Sequence, residues 1–226
     1  MALSVIVPIL NEERAIVTTL GAIRRGAADA EVIVVDGGSS DRSVEAARPL
    51  ADRVIDGPRG RARQMNAGAA IAIGDAFAFV HADSIVPPDF ASAIKDALTD
   101  PKVVGGRFDV RLDDPRLPYR LIGALISLRS RISRTGTGDQ AIFVRREVFE
   151  QLGGFPNIEL CEDLDFARKL KRAGRVACLR SLVTTSARRW HNEGLIRTIL
   201  RMWTIRLLYL SGVSPARLKR MYSDTR

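Results

Sequence analysis

The chain has 226 residues, 46% apolar and 27% charged, with a formal net charge of +9. That balance excludes a disordered or fibrous polymer, and the length permits one large globular core. Cys161 and Cys178 have neither companions nor the spacing of a zinc site, and they read as buried thiols of a reducing compartment.

Residues 3–9, LSVIVPI, are continuously apolar and predict a first strand; no basic segment precedes them, so MALSVIVPIL does not read as a secretory leader. Asn11 is placed to cap a helix over EERAIVTTLGAIRRG, with Glu12 and Glu13 at the positive end of its dipole and Ala15, Ile16, Leu20 and Ile23 on one apolar face. EVIVVD (31–36) is a second strand, apolar on both faces as in a parallel sheet covered by helices. The turn GGSSD, a helix RSVEAARPLA, a short strand RVID, a small-residue helix RARQMNAGAAIAIG and a fourth strand AFAFV follow. Repeated β-α-β units predict a doubly wound, mostly parallel α/β sheet with its ligand at the carboxyl ends of the strands.

After Pro87 and Pro88 the alternation loosens. A helix over 89–98, a strand VVGGRFDVRL and a helix YRLIGALISLRSRIS with a broad apolar face are expected. GTGDQAIFVRREVFEQLGGF reads as loop, strand and short helix; CEDLDFARKLKRAG is a helix and RVACL a strand. The tail EGLIRTILRMWTIRLLYLSG forms a long amphipathic helix. No repeat, linker or composition break divides the chain, so one domain over 1–226 is expected. No apolar run approaches the roughly 18 residues of a spanning helix, which points to the cytoplasm, or to a peripheral place on the inner membrane face.

Charge is unevenly spread. Residues 1–166 hold 20 Lys and Arg against 24 Asp and Glu, whereas residues 167–226 hold 15 against 2. A basic end attracts anionic lipid, nucleic acid or a polyanionic substrate, or is a solvated helix surface. Nucleic acid is disfavoured, because there is no recognised motif and few aromatic platforms. In the tail helix, Ile196, Ile199, Leu200, Trp203, Leu207 and Leu210 form a stripe, with Arg197, Arg201 and Arg206 largely off it. The stripe packs on the domain or on a second copy; the sharper reading is that it lies in a membrane interface to meet a lipid-linked acceptor.

Two aspartates end strands: Asp36 closes the second, and Asp83 follows the fourth in AFAFVHADS. In a doubly wound sheet both face one crevice. Asp36 is a turn former, or its hydroxyl-rich turn GGSSD approaches a nucleoside; Asp83 supports the latter, because hard carboxylate oxygens bind Mg²⁺ or Mn²⁺ together with phosphates. His81, two residues before Asp83, stands where such chemistry favours a second carboxylate.

SVIVPILNEE, VIVVDGGSSD, GRARQMNAG, FVHADS, GDQAIFVRREVFEQLGGF and CEDLDFARKLKRAG, in this order over residues 3 to about 180, resemble glycosyltransferase family 2. The resemblance implies a GT-A fold, a Rossmann-like single α/β domain with a C-terminal helical extension here. Residues 1–100 would be the nucleotide-sugar half, 101–190 the acceptor half and 191–226 the C-terminal helices. It also implies a nucleoside-diphosphate sugar donor, a divalent cation (Mg²⁺ or Mn²⁺) and transfer to an unidentified hydroxyl with inversion.

Carried over by position, Pro8, Asn11 and Glu12 contact the nucleotide, and Asp36 holds the base or ribose. Arg61 and Asn66 approach the diphosphate and sugar, and Asp83 matches the metal-contacting end of an Asp-x-Asp motif. His81 replaces its first aspartate and contacts ribose, ligates the metal or fills space. Asp163 maps to the catalytic base, with Glu162 positioning beside it, although acids in a first helical turn also serve as dipole partners. Asp139 and Gln140 match the acceptor loop, with Gly136 and Gly138 letting it move. SARRWHNEG resembles the Gln-x-x-Arg-Trp element of polysaccharide synthases with Ser186 in place of Gln, which argues against polymerisation. There Arg188 and Arg189 would neutralise diphosphate, Trp190 would stack on the acceptor, and His191 is a third metal ligand or structural. Two rivals remain: a nucleotide-binding regulatory module with a degenerate site, and a nucleotidyltransferase, for which PILNEERA lacks the glycine-rich basic loop.

Overall fold

Period-two alternation sorts the strand side chains onto two faces of one sheet. In β1 (Leu3–Ile9), Val5, Val7 and Ile9 enter one core cluster and Ile6 the other. In β2 (Glu31–Asp36), Val32 and Val34 oppose Ile33 and Val35, and in β4 (Ala76–Phe79) Ala76 and Ala78 oppose Phe77 and Phe79. A sheet so apolar on both sides must be covered on both sides. The computed structural model describes residues 1–221; 222–226, the end of the expected C-terminal segment, lie outside the described residues.

The sheet has eight strands in the order β3-β2-β1-β4-β7-β6-β8-β5. β3 (Arg53–Asp56), β2, β1 and β4 run parallel. β7 (Phe143–Arg145) is antiparallel to both β4 and β6 (Val103–Leu112). β8 (Arg175–Thr185) lies parallel to β6, and the two-residue β5 (Ser84–Ile85) closes the edge antiparallel to β8. Strand order reverses at β1, which sits between β2 and β4, and such a switch point opens a crevice at the carboxyl ends.

One face carries α1 (Ile16–Gly26), α2 (Ser43–Ala47) and α4 (Phe90–Ala97), whose Ile16, Leu20, Phe90 and Ile94 join the first cluster. The other carries α3 (Arg61–Ile71), α6 (Arg146–Gln151) and α7 (Glu162–Ala173). A Cβ on Gly68 of α3 would stand 2.6 Å from Ile6, so only glycine lets that small-residue helix sit so close. Phe155 brings this layer together: its ring centroid is 4.8 Å from Phe79 and 4.4 Å from Phe166. α5 (Leu117–Ser133), α8 (Arg188–Glu193), α9 (Leu195–Leu210) and α10 (Pro215–Met221) complete the chain.

Several local expectations are corrected. Asn11 is not the helix cap: it has a positive φ of 56°, its Oδ1 accepts a hydrogen bond from Ser40 N at 2.8 Å, and α1 begins only at Ile16. The strand expected at RVACL continues to Thr185, because β6 supplies a partner along its length. Gly194, at φ 81°, splits the expected tail helix from α8. Both cysteines are free and half-buried rather than buried.

Candidate active site

At the carboxyl ends of β1 and β4 lies a cleft of about 460 Å³. Pro8, Glu12, Arg61, His81 and Asp83 line it from the first half of the chain. Asp36 is 5% exposed and stands outside this lining; its carboxylate accepts hydrogen bonds from Gly38 N at 3.1 Å and from Ser39 N and Oγ, which folds the GGSSD turn. Asn66 also lies outside the lining: its Nδ2 donates to Phe155 O at 2.8 Å and its Oδ1 accepts from Phe155 N at 2.9 Å, bolting α3 to the loop before α7. Gln64, which lies in GRARQMNAG but was assigned no role, lines the cleft instead. Its buried Nε2 donates to Ile9 O at 2.7 Å and Val35 O at 2.9 Å, tying the ends of β1 and β2 together.

The second half brings Asp139, Glu162, Asp163, Arg188, Arg189 and Trp190 to the same cleft. Asp163 Oδ2 accepts a hydrogen bond from Gly138 N at 2.7 Å, and its Oδ1 accepts from Leu164 N at 2.6 Å. Two backbone donors thus fix the direction of its carboxylate. Gly138 belongs to a single 3-10 turn, Gly138–Gln140, whose capping box uses Thr137 and Gln140. A Cβ on Gly138 would fall 2.4 Å from His81 Nε2, so the turn lies directly against the imidazole. A Cβ on Gly136 would press on Arg107 at 3.2 Å. Gly138 thus permits a close approach that any side chain would disturb, and Gly136 a tight one. Gln140 is buried, donating through Nε2 to Phe108 O at 3.1 Å and Ser130 Oγ at 2.9 Å.

Burial sets the charges. His81 is pushed well below its ordinary value by burial, with Arg61 and Arg189 adding to the effect, so its imidazole is neutral at pH 7. Burial raises Asp139, assisted by Asp163 and opposed by the hydrogen bond from Thr137 and the charge of Arg129. Burial also raises Glu162, opposed by Arg61, whose Nη1 is 3.5 Å from Glu162 Oε1, and assisted by Asp163. The Cys161 thiol is pushed up to about 12 by its partial burial and by the neighbouring Asp163 and Glu162. Arg206 is brought down to about 10 by burial and by its neighbour Arg129.

Arg188 Nη2 lies 3.4 Å from Glu12 Oε1 and 4.0 Å from Asp83 Oδ2, so the tail reaches back to the strand ends. His191 is outside the lining, its Nε2 2.8 Å from Asp114 Oδ2, with Tyr119 edge-on at 5.0 Å. Hydrogen bonds from Arg116 hold the Asp114 carboxyl well below the usual range. Among the described residues there is no group of three or more His, Cys, Asp or Glu that could hold a metal. The outer walls come from α5 and α9, including Leu125, Ile126, Arg129, Ile199, Trp203 and Arg206. These were missed as site residues because helical periodicity reports an apolar face, not what stands opposite it.

The family described as "Glycosyl transferase family 2" matches residues 4–153. Among solved structures, a mannosyltransferase from Pyrobaculum calidifontis in complex with GDP-Man and Mn²⁺ is similar at 25% identity and a TM-score of 0.67, over 90% of this chain and 60% of that one. S. aureus TarS shares the fold at 18% identity and a TM-score of 0.65, over 92% of this chain and 40% of that one. A TarS fragment with UDP-GlcNAc does so at 20% identity and 0.59, over 82% and 58%. The chain thus spans less than two thirds of the length of each. No curated protein sequence matches the chain.

Proposed function

Because the chain belongs to glycosyl transferase family 2, we propose that it transfers a sugar, with inversion, from a nucleoside-diphosphate sugar to a hydroxyl acceptor. The observation that carries this reading is Gly138, whose N–H bonds Asp163 while its Cα lies against His81. The base assigned to the second half thereby stands one residue from the strand-end segment assigned to the donor. Asp163 takes the acceptor's hydroxyl proton as that oxygen bonds the anomeric carbon, and the bond from carbon to the diphosphate oxygen breaks on the opposite side. Glu162 orients Arg61 beside it, and Pro8, Glu12 and Asp36 belong to the nucleotide end. Asp139, Gln140 and Trp190 belong to the acceptor side. Residues 1–100, 101–190 and 191–226 are the corresponding donor half, acceptor half and helical extension.

The side chains fit a Mg²⁺ or Mn²⁺ ion of one kind. Asp83 offers a partly exposed carboxylate in the cleft, and no protein cage surrounds it. Ions of this class accept one carboxylate and take further ligands from phosphate and water. Held by Asp83, the ion would neutralise charge on the departing diphosphate. The neutral His81 would add a nitrogen ligand or a ribose contact, and Arg188 and Arg189 would meet the diphosphate. His191, whose Nε2 lies 2.8 Å from Asp114 Oδ2, is given the structural alternative of holding α8.

The test is calorimetric titration with UDP and GDP in Mn²⁺, Mg²⁺ or chelator, followed by transfer assays with the matching sugars. Asp83→Ala is expected to lower metal-dependent donor binding. Asp163→Asn is expected to spare binding and reduce transfer about 10²- to 10⁴-fold. Equal binding losses in the two variants would overturn this division of labour. Binding without turnover under any acceptor would favour a regulatory module.

A further inference from the structure

Ten of the fifteen large apolar side chains exposed among the described residues belong to two helices, α5 and α9. On α5 they are Leu117, Leu121, Leu125, Leu128 and Ile132, spaced to form one stripe. On α9 they are Ile196, Leu200, Trp203, Leu207 and Leu210, again on one stripe. The inner edges of the helices meet, since Ile122 and Ile126 share a cluster with Ile199. The outer stripes meet at the cleft: Leu125 and Trp203 line it yet are 63% and 50% exposed, so they form its rim.

The polar complement of these helices is of one sign. Neither α5 nor α9 contains an acid; Arg131 and Arg201 pair with Asp109 and Glu193, and Arg129 and Arg206 turn into the cleft, which leaves Arg120 on the first and Arg197 on the second as the exposed charges. A second copy laid face to face would bring arginine to arginine without a carboxylate on either stripe. A layer apolar inside and anionic at its surface complements both features at once. No helix among the described residues is long and apolar enough to cross a membrane.

We infer that the α5–α9 rim is a docking surface for an anionic lipid bilayer, which seats the mouth of the cleft at the level of the headgroups. Building on the transfer reading, the acceptor hydroxyl is then one presented by the lipid layer, and the donor enters from the aqueous side between Arg61 and Arg188. Apolar side chains of both helices enter the interface, and Arg120 and Arg197 bind headgroup phosphates beside them.

The experiment is flotation of the full chain with vesicles of phosphatidylcholine alone or with about one third phosphatidylglycerol. The protein is expected to float with the anionic vesicles only, and to be released as salt rises to about 1 M. Leu121→Glu with Leu200→Glu abolishes flotation. Arg120→Gln with Arg197→Gln weakens partitioning roughly thirtyfold. All four side chains are exposed and lie outside the cleft lining, so melting temperature and nucleotide affinity stay at wild-type values. Absence of flotation, or equal flotation of the leucine variant, overturns the inference. Sedimentation showing a dimer that the leucine variant dissolves, with no vesicle binding, overturns it in favour of a contact between copies. Failure of nucleotide binding would strike the transfer reading and leave the flotation result standing by itself.

Discussion

Glu162 stands in the first turn of α7, 4% exposed, with a carboxyl that burial raises above its ordinary range. From the ordinary carboxylate value up to the raised one, the folded state holds a proton that the unfolded chain has released. Stability from this group is therefore complete at low pH and is lost as pH rises through the raised value. Glu162→Gln is expected to raise the calorimetric melting temperature at about pH 8 and to change it little at about pH 4. A lowered melting temperature at about pH 8 would mean that the pair with Arg61 outweighs burial. The carboxylates at 36, 83 and 163 were legible in the sequence, because strand ends and helix starts have local signatures. Gln64 was not legible: its use, bonding Ile9 and Val35, depends on strands far from it along the chain.

At the level of elements, α3 and the loop before α7 are joined by the two hydrogen bonds of Asn66 with Phe155 and by Arg63 Nε donating to Asn157 Oδ1 at 2.6 Å. Phe155 is 3% exposed, so removing the amide leaves its backbone groups unsatisfied. Asn66→Ala is expected to cost about 1–3 kcal/mol, read as a lower denaturant midpoint at unchanged slope, with nucleotide affinity retained. Weakened affinity at full stability would instead support the donor contact expected of this position. The parallel β-α-β units were legible because each packs against its neighbours in sequence. The start of α1 was not, since Asn11 gives its side chain to Ser40, nor was the close approach of Gly138 to His81, which depends on a residue 57 positions away in the chain.

Over the whole molecule, the acid-rich first part builds most of the sheet and the basic last sixty residues fold back over the cleft, with Arg188 meeting Glu12 and Asp83. Composition revealed the two charge regions but not that they would share a cavity. That depended on β8 running eleven residues beside β6 before releasing the chain. One further property follows from the cleft wall. The chain has two tryptophans, Trp190 and Trp203, and both line the cleft, so intrinsic indole emission reports this one region of the protein. Nucleotide titration is expected to change the signal through Trp190, which follows Arg188 and Arg189 of the diphosphate end in α8, whereas vesicles shift it to the blue through the half-exposed Trp203. Trp190→Phe and Trp203→Phe would each erase one response and keep the other, so the protein carries separate optical gauges for its two ligands without a label.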